Sequence, residues 1–204
     1  MEGLHARVLV AQTVNKQMRW GRRQLRTVRV RREAEADHDA VRAIYAAAFD
    51  QPTEGAIVDA LRGSAEAISL VADEGGRIIG HILFTAVSID SLSGRSAGLA
   101  LGPMAVAPEF QDQGVGSALV RDGLARIKKL GCPFVLVLGH ASFYPRFGFV
   151  PASRFGIDAQ WENVPDEVFM IAVLDRTALP AGGGVAYYRR EFGEATGDDG
   201  SGPA

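Results

Sequence analysis

The segment that most constrains the fold is residues 99–130, in which a strand-like run passes through a glycine-bearing turn into a helical pattern. The turn at residues 111–116 reads Gln-Asp-Gln-Gly-Val-Gly, and its glycines permit a tight bend and leave room for a ligand. The first amides of a helix lack acceptors within the helix, and the helix dipole adds partial positive charge there. Backbone groups of this turn can therefore bind a pyrophosphate. Taken alone the signal is weak, because such a turn is more often only a turn.

Strand-like runs precede this segment. One alternating run near the N-terminus is followed by three longer runs, which two turn signals separate. The runs cover residues 27–31, 67–72, 77–89 and 97–106, and the turns lie at 73–76 and 93–95. We expect the last three runs to form consecutive antiparallel strands.

Helical patterns fill the remaining intervals. Asp37 is predicted to cap a first helix and Thr53 a second. The inward positions of these two helices are Val41, Ile44, Tyr45 and Ala48 in the first, and Ile57, Val58 and Leu61 in the second. A third helix is predicted over residues 114–130, with one packing side formed by Gly116, Leu119, Val120, Gly123, Ile127 and Leu130.

Two further strands follow the third helix. The apolar run 133–138 has the length of a strand buried on both faces, Gly131 is placed to end the helix before it, and 167–174 supplies one more strand. Strands and helices in this order predict an α/β or α+β fold, a sheet with helices packed on it.

The combination of motifs is more specific than the turn. The strand, Pro108, the glycine turn, the buried strand after the helix and the motif Phe-Tyr-Pro-Arg-Phe-Gly-Phe at residues 143–149 occur in one order. Over residues 26–175 the sequence resembles the GCN5-related N-acetyltransferase (GNAT) superfamily, and most closely its small bacterial members. No Gly-Lys-Ser/Thr follows the turn, and a third glycine is missing, which argues against a P-loop and a dinucleotide fingerprint.

The resemblance implies a mixed, mostly antiparallel sheet with a splayed central strand pair, between which the pantetheine arm of acetyl-CoA binds as a pseudo-strand. It assigns the pyrophosphate to the loop and the pantetheine to the end of the preceding strand. The implied cofactor-binding residues are Met104, Ala105, Val106, Gln111, Asp112, Gln113, Gly114, Val115, Gly116 and Ser117. Acetyl-CoA is the expected co-substrate, and no metal is expected.

The resemblance also implies that Tyr144 protonates the departing thiolate, although an aromatic there can equally be a packing residue. A backbone amide near Val106 is a candidate for stabilising the oxyanion. The run 99–106 carries no glutamate, so a side-chain base there is excluded, and the base stays open. Candidates for the base or for substrate contacts are Glu54, His81 and His140, and a water relay is the alternative. Gly139-His140-Ala141-Ser142 stands where many relatives carry an asparagine.

At 204 residues, the chain fits one domain at 26–192, flanked by a basic leader at 1–25 and a tail at 193–204 that we expect to be disordered. Residues 1–32 hold nine Lys and Arg against one acid. The leader is interpreted as a disordered arm, a nucleic-acid-binding tail, or residues upstream of the true start. The single cysteine, Cys132, is interpreted as a small buried hydrophobic residue.

The predicted function is direct acetyl transfer from acetyl-CoA to a primary amine of a small molecule. The alternatives are acetylation of a protein or of an aminoacyl-tRNA, with the leader as docking arm, and a non-catalytic acyl-CoA-binding regulatory module. We expect a bacterial, cytoplasmic protein with no nucleic-acid partner and no membrane association. A homodimer is left open.

Overall fold

The computed structural model describes residues 28–196. The predictions made for the leader at 1–25, for the domain start at residue 26 and for the tail beyond residue 196 lie outside the described residues. Within them, no helix is long and apolar enough to cross a membrane.

The described chain folds into a sheet with helices on both faces. Its strands are β1 Val28–Arg32, β2 Ile68–Glu74, β3 Arg77–Ser91, β4 Gly94–Val106, β5 Phe134–Leu138, β6 Val150–Pro151, β7 Ile157–Ala159, β8 Phe169–Val173 and β9 Gly184–Tyr187. Its α-helices are α1 His38–Ala48, α2 Thr53–Leu61, α3 Val115–Lys129 and α4 Arg190–Thr196. The strand order is β1-β2-β3-β4-β5-β8-β6, and β9 pairs with β3 and β7.

Only two of the strand pairs formed within residues 28–196 are parallel, β4 with β5 and β7 with β9. The expected mixed, mostly antiparallel sheet is therefore confirmed. The hairpin from β2 through β3 to β4 is the predicted run of three antiparallel strands, because the glycine turn at residues 75–76 and the turn at 92–93 reverse the chain between them.

The central pair β4 and β5 separates along its length. The two strands pair only from Leu99 opposite Val135 to Leu101 opposite Val137. β4 then continues to Val106, hydrogen-bonded to β3 alone within the described sheet. At the point of separation Gly102 has a φ of +144°, which a side chain would strain. The expected splayed pair is confirmed, and it leaves one edge of β4 open.

Helix α3 packs closely on the sheet because glycines line the contact. A Cβ atom on Gly123 would lie 2.5 Å from the Phe84 ring, and one on Gly80 would lie 3.1 Å from Leu119. Leu130 was predicted on the same packing side, and that prediction is wrong, because Leu130 is 66% exposed. The helix ends at Lys129, and Gly131, with a φ of +75°, turns the chain away.

Both predicted N-caps differ in detail. Asp37 precedes α1, but its carboxylate accepts a hydrogen bond from the Ala34 amide at 2.8 Å and pairs with Arg31 at 2.6 Å instead of capping the helix. Asp37 occupies the N-cap position, but its backbone is helical at φ −89° and ψ −13°, whereas a residue whose side chain caps a helix is typically extended. Thr53 is the first residue of α2 and Pro52 takes the cap position, so neither expected cap bond forms.

Helices α1 and α2 lie on the face opposite α3. Successive residues of β3 face opposite sides of the sheet, so the Cα of Gly80 faces α3 and the side chain of His81 contacts Tyr45 of α1. α4 packs against α2 and buries Phe192. The last helix thus runs past residue 193, where the sequence placed the end of the domain, as far as Thr196.

Candidate functional site

The loop between β4 and α3 ends in backbone amides at the start of a helix. Gly114, at the N-cap of α3, has a φ of +88°, and no side chain within residues 28–196 caps the helix with a hydrogen bond. The first intrahelical bond runs from the Ala118 amide to the Gly114 carbonyl at 3.0 Å. The amides of residues 115–117 come before it, so they are available to an anion. The geometry fits the pyrophosphate cradle predicted from the sequence.

Two glutamine side chains support this loop from within. Gln111 Nε2 donates to the Val106 carbonyl at 3.1 Å, and Gln113 Nε2 donates to the Glu109 carbonyl at 2.7 Å. Both were predicted as cofactor-binding residues. In the structure the Nε2 atoms of both side chains bond to backbone carbonyls. Their main-chain groups are therefore the groups that we assign to a ligand.

The open edge of β4 lies beside this loop. The Ala107 amide bonds the Ile79 carbonyl of β3 at 3.0 Å, and backbone groups alternate in direction along a strand. Val106 and Met104 therefore direct their amides and carbonyls toward the gap between β4 and β5, where Gln111 Nε2 already binds the Val106 carbonyl. Ala105 directs its backbone groups toward β3, where it is paired with His81. An extended chain in the gap can hydrogen-bond to this edge.

Tyr144 lies just beyond the end of β5, with its ring against Gly139. It begins the 3-10 turn Tyr144–Phe147 after β5, is buried, and forms edge-to-face ring pairs with Phe143 at 5.0 Å and Phe149 at 5.5 Å. A Cβ atom on Gly116 would lie 3.6 Å from Phe143, so the turn packs against the first residues of α3. Burial raises the pKa of Tyr144 above its usual value, so the phenol stays protonated at neutral pH.

The three candidate bases have different surroundings. Glu54 lies in the first turn of α2, where its buried Oε2 atom has no hydrogen-bond partner among the described residues. Burial raises the pKa of this carboxyl. His81 is fully buried, and both of its ring nitrogens contact hydroxyl groups. The carbonyl of His140 accepts the amides of Phe143 at 2.9 Å and Tyr144 at 3.4 Å, so its backbone shapes the turn.

Tyr45 joins the candidate site, although the sequence indicated only an inward-facing position on α1. Its hydroxyl lies 3.0 Å from His81 Nδ1. Burial raises the pKa of Tyr45 well above its usual value, and the negative charge of Glu33 raises it further. A Cβ atom on Gly55 would lie 3.5 Å from Tyr45 Cβ, so Tyr45 packs against the start of α2 next to Glu54.

The described residues contain no cluster of three or more His, Cys, Asp or Glu arranged to hold a metal. Cys132 is half-buried and its thiol donates to the Phe134 carbonyl at 3.2 Å. Burial raises the pKa of this thiol, as expected for an unreactive side chain.

Comparisons with known proteins agree with this geometry. Residues 65–151 match the family model described as an acetyltransferase (GNAT) domain. The chain is 37% identical over 121 residues to the uncharacterized N-acetyltransferase YjhQ of Escherichia coli, a match that covers 58% of this chain and 67% of YjhQ.

Two solved structures are similar over most of the chain. The GNAT family N-acetyltransferase YhbS of Escherichia coli, in complex with CoA, has a TM-score of 0.74 and 26% identity, covering 85% of this chain and 96% of YhbS. A GNAT family acetyltransferase from Brucella melitensis, in complex with acetyl-CoA, has a TM-score of 0.66 and 30% identity, covering 81% of this chain and 98% of its own.

Proposed function

This chain belongs to the GNAT family of acyl-CoA-dependent N-acetyltransferases, and on that premise we propose that it transfers an acetyl group from acetyl-CoA directly to a primary amine of a small molecule. The observation that carries the proposal is the open edge of β4 beside the uncapped start of α3. The edge suits an extended amide-bearing arm and the helix start suits a pyrophosphate, the two parts that acetyl-CoA combines.

For the donor, we assign the pyrophosphate to the amides of the loop and the pantetheine arm to the open strand edge. The proposed contacts come from the main chain of Met104 and Val106 and from the loop, with Ala105 aligning the strand from behind. The loop residues are Gln111, Asp112, Gln113, Gly114, Val115, Gly116 and Ser117. Glycine at 116 supports this assignment, because the helix start is left without a side chain between Phe143 and Met104.

The bound thioester supplies an activated acetyl group, and the chain supplies proton transfers and charge stabilisation. The amine nitrogen forms the new bond to the carbonyl carbon while the carbon–sulfur bond breaks. Tyr144 gives its proton to the departing sulfur, and the Val106 amide stabilises the carbonyl oxygen. The nitrogen loses its proton to Glu54, the candidate base whose buried oxygen lacks a hydrogen-bond partner among residues 28–196. Solvent then restores both protonation states.

Acceptor screening tests this function. Purified full-length protein is mixed with acetyl-CoA and each member of a library of primary amines, including amino acids, polyamines and arylalkylamines, and free CoA is detected with a thiol reagent. We expect amine-dependent CoA release for one chemical class, and mass spectrometry of the acetylated amine identifies the product. The Tyr144→Phe variant serves as the control for release without catalysis.

Two results would contradict the proposal in different ways. If calorimetry detects no binding of acetyl-CoA at about millimolar concentration, the donor assignment fails. If acetyl-CoA binds but only proteins or aminoacyl-tRNA become acetylated, the small-molecule assignment fails while the family chemistry stands.

A further inference from the structure

A chain of polar side chains lies under α1 and connects α1, β3 and β2 with the residues that follow β1 and α2. Tyr45 Oη lies 3.0 Å from His81 Nδ1, and His81 Nε2 lies 2.7 Å from Ser69 Oγ. Ser69 Oγ donates to Glu33 Oε2 at 2.5 Å, and Arg62 pairs with Glu33 at 3.1 Å. The His81 and Glu33 side chains are 0% and 3% exposed, so water does not compete for these contacts.

The carboxylate at the end of the chain fixes the direction of every hydrogen bond. Burial alone would raise the pKa of Glu33, but its interactions with His81 and Ser69 outweigh burial and lower the pKa to about 2. An ionised carboxylate can only accept hydrogen bonds, so the single proton of Ser69 points to Glu33. Ser69 Oγ must then accept from His81 Nε2.

The direction continues through His81 to Tyr45. Burial lowers the pKa of His81, so the ring is neutral and carries one N–H. Since that proton is on Nε2, Nδ1 is a bare acceptor, and Tyr45 must donate its hydroxyl proton to it. The remaining lone pair of Tyr45 Oη can therefore only accept a hydrogen bond from elsewhere.

Tyr45 lies beside the residues that carry the proposed base. A Cβ atom on Gly55, the residue after Glu54, would lie 3.5 Å from Tyr45 Cβ. Its partner His81 is also the β3 neighbour of Ala105, in the strand segment assigned to the pantetheine arm. Phe49 stacks on the Tyr45 ring at 5.7 Å.

We propose that the buried chain Glu33–Ser69–His81 holds the Tyr45 hydroxyl as a hydrogen-bond acceptor for an N–H of the acceptor amine. Tyr45 then binds the amine together with the Glu54 carboxylate, and Ser69, His81 and Glu33 are positioning residues that act through Tyr45. This inference rests on the proposed function, because it specifies the amine subsite of the same active centre. A subsite made of acceptors selects nitrogen that carries hydrogen, as a primary amine does.

Nitrogen-15 NMR of His81 in the full-length protein tests the direction of the chain. We expect a neutral ring with Nε2 protonated and Nδ1 bare at neutral pH, because burial lowers the pKa of His81. In Ser69→Ala the ring loses its Nε2 acceptor, so a population with Nδ1 protonated should appear. A Ser88→Ala variant, which removes a hydroxyl bonded to Asp90 on the same strand β3, should leave the His81 signals unchanged. A charged ring or a protonated Nδ1 in the unmodified protein overturns the inference.

Steady-state kinetics with the primary amine that gives the highest turnover in the library screen test the binding role. Tyr45→Phe should raise the KM for that amine about tenfold and leave the KM for acetyl-CoA unchanged. Tyr188→Phe is the matched control, because Tyr188 is a buried phenol whose hydroxyl has no hydrogen-bond partner in the described part of the chain. Ser69→Ala should raise the amine KM by about three- to tenfold, and it keeps the test valid if Tyr45→Phe folds poorly.

The outcomes separate this inference from the proposed function. If no primary amine is acetylated, the proposed function fails and the inference fails with it. If an amine is acetylated but Tyr45→Phe and Ser69→Ala leave its KM unchanged, the proposed function stands and the inference is wrong.

Discussion

Gly139 and the ring of Tyr144 are in contact so close that no side chain fits between them. A Cβ atom on Gly139 would lie 2.2 Å from Tyr144 Cε2, well inside any real carbon–carbon contact. The residue that follows β5 therefore fixes the ring of the proposed catalytic acid.

Gly139→Ala should displace the Tyr144 ring and lower kcat by roughly 100-fold, the order expected when a reacting group moves by about 1 Å. The KM for acetyl-CoA should change little, since the loop and the β4 edge are untouched. Gly63→Ala is the control, because a Cβ atom there meets no atom within 4 Å. Equal kcat values in the two variants would show that the ring position does not matter.

Tyr144→Phe should lower kcat by roughly 100-fold or more while the melting temperature stays close to that of the unmodified protein. The ring packing against Phe143 and Phe149 is retained, and only the hydroxyl is lost. Tyr187→Phe, at a position 48% exposed, should have normal activity. Unchanged turnover in Tyr144→Phe would leave this residue with a packing role alone.

Gly114→Ala should raise the KM for acetyl-CoA about tenfold, because an L side chain at a φ of +88° strains the loop that presents the amides. Gly131→Ala introduces a comparable strain, at a φ of +75°, at the opposite end of α3. Both variants should lose about 1–2 kcal/mol of unfolding free energy, measured in urea. Only Gly114→Ala should affect acetyl-CoA binding, and a matching KM effect in both would remove the loop from the donor site.

The pH dependence of kcat/KM should show an acid limb from Glu54. Burial raises the pKa of this carboxyl above the ordinary glutamate value. Below its raised pKa the carboxyl is protonated and cannot act as a base. Activity therefore rises with pH through that value. In Glu54→Gln the limb should disappear and kcat/KM should fall, whereas Glu109→Gln, an exposed carboxyl paired with Arg77, should keep it. Persistence of the limb in Glu54→Gln would assign it to another group.

Glu33 should make stability depend on acidity. With a folded pKa of about 2 against 4.5 in the unfolded chain, this carboxylate stabilises the fold fully above about pH 4.5, and the contribution falls away as the pH drops toward 2. The contribution is on the order of 3 kcal/mol. Urea unfolding of the unmodified protein and of Glu33→Gln should differ most near pH 6 and converge on acidification, as roughly expected from linkage.

His81, a neighbour of Glu33, acts in the same experiment. Its depressed pKa removes stability in a separate window, as the pH falls through the ordinary histidine range. Glu33 raises the pKa of His81, so Glu33→Gln also deepens this loss, and repeating the comparison in a His81→Asn background isolates the carboxylate's share. A constant difference from neutral to acidic pH would contradict the low pKa of Glu33.

The regular elements of this fold could be predicted from the sequence because their signals are local. The glycine turn at residues 73–76 predicted the hairpin between β2 and β3. The apolar run 133–138 predicted the central strand β5 to within a few residues of its ends. The exposed Leu130 was mispredicted because helical periodicity extends a pattern past the point where Gly131 ends the helix.

The sequence signals for the donor side of the candidate site were also local, because they lie within one loop and its flanking elements. The hydrogen-bond chain that leads to Tyr45 has no such local signal. Glu33 and Ser69 are separated by thirty-six positions and meet only because β1 pairs with β2. Apolar periodicity placed Tyr45 inward without indicating that its hydroxyl would find His81, which lies on another element. Side-chain roles that depend on strand pairing of this kind are not encoded in any window of the sequence.

The two glutamines that brace the donor loop have a thermodynamic consequence. Gln111 ties the loop to the last residue of β4 by a direct hydrogen bond, which couples the position proposed for the pyrophosphate to that proposed for the pantetheine arm. A ligand that engages one part meets the other already in place, and little conformational entropy remains to be lost. Acetyl-CoA should therefore bind more tightly than the summed binding free energies of its separate fragments suggest. In the intact molecule the binding of one part raises the effective concentration of the other, and a separate fragment lacks this effect.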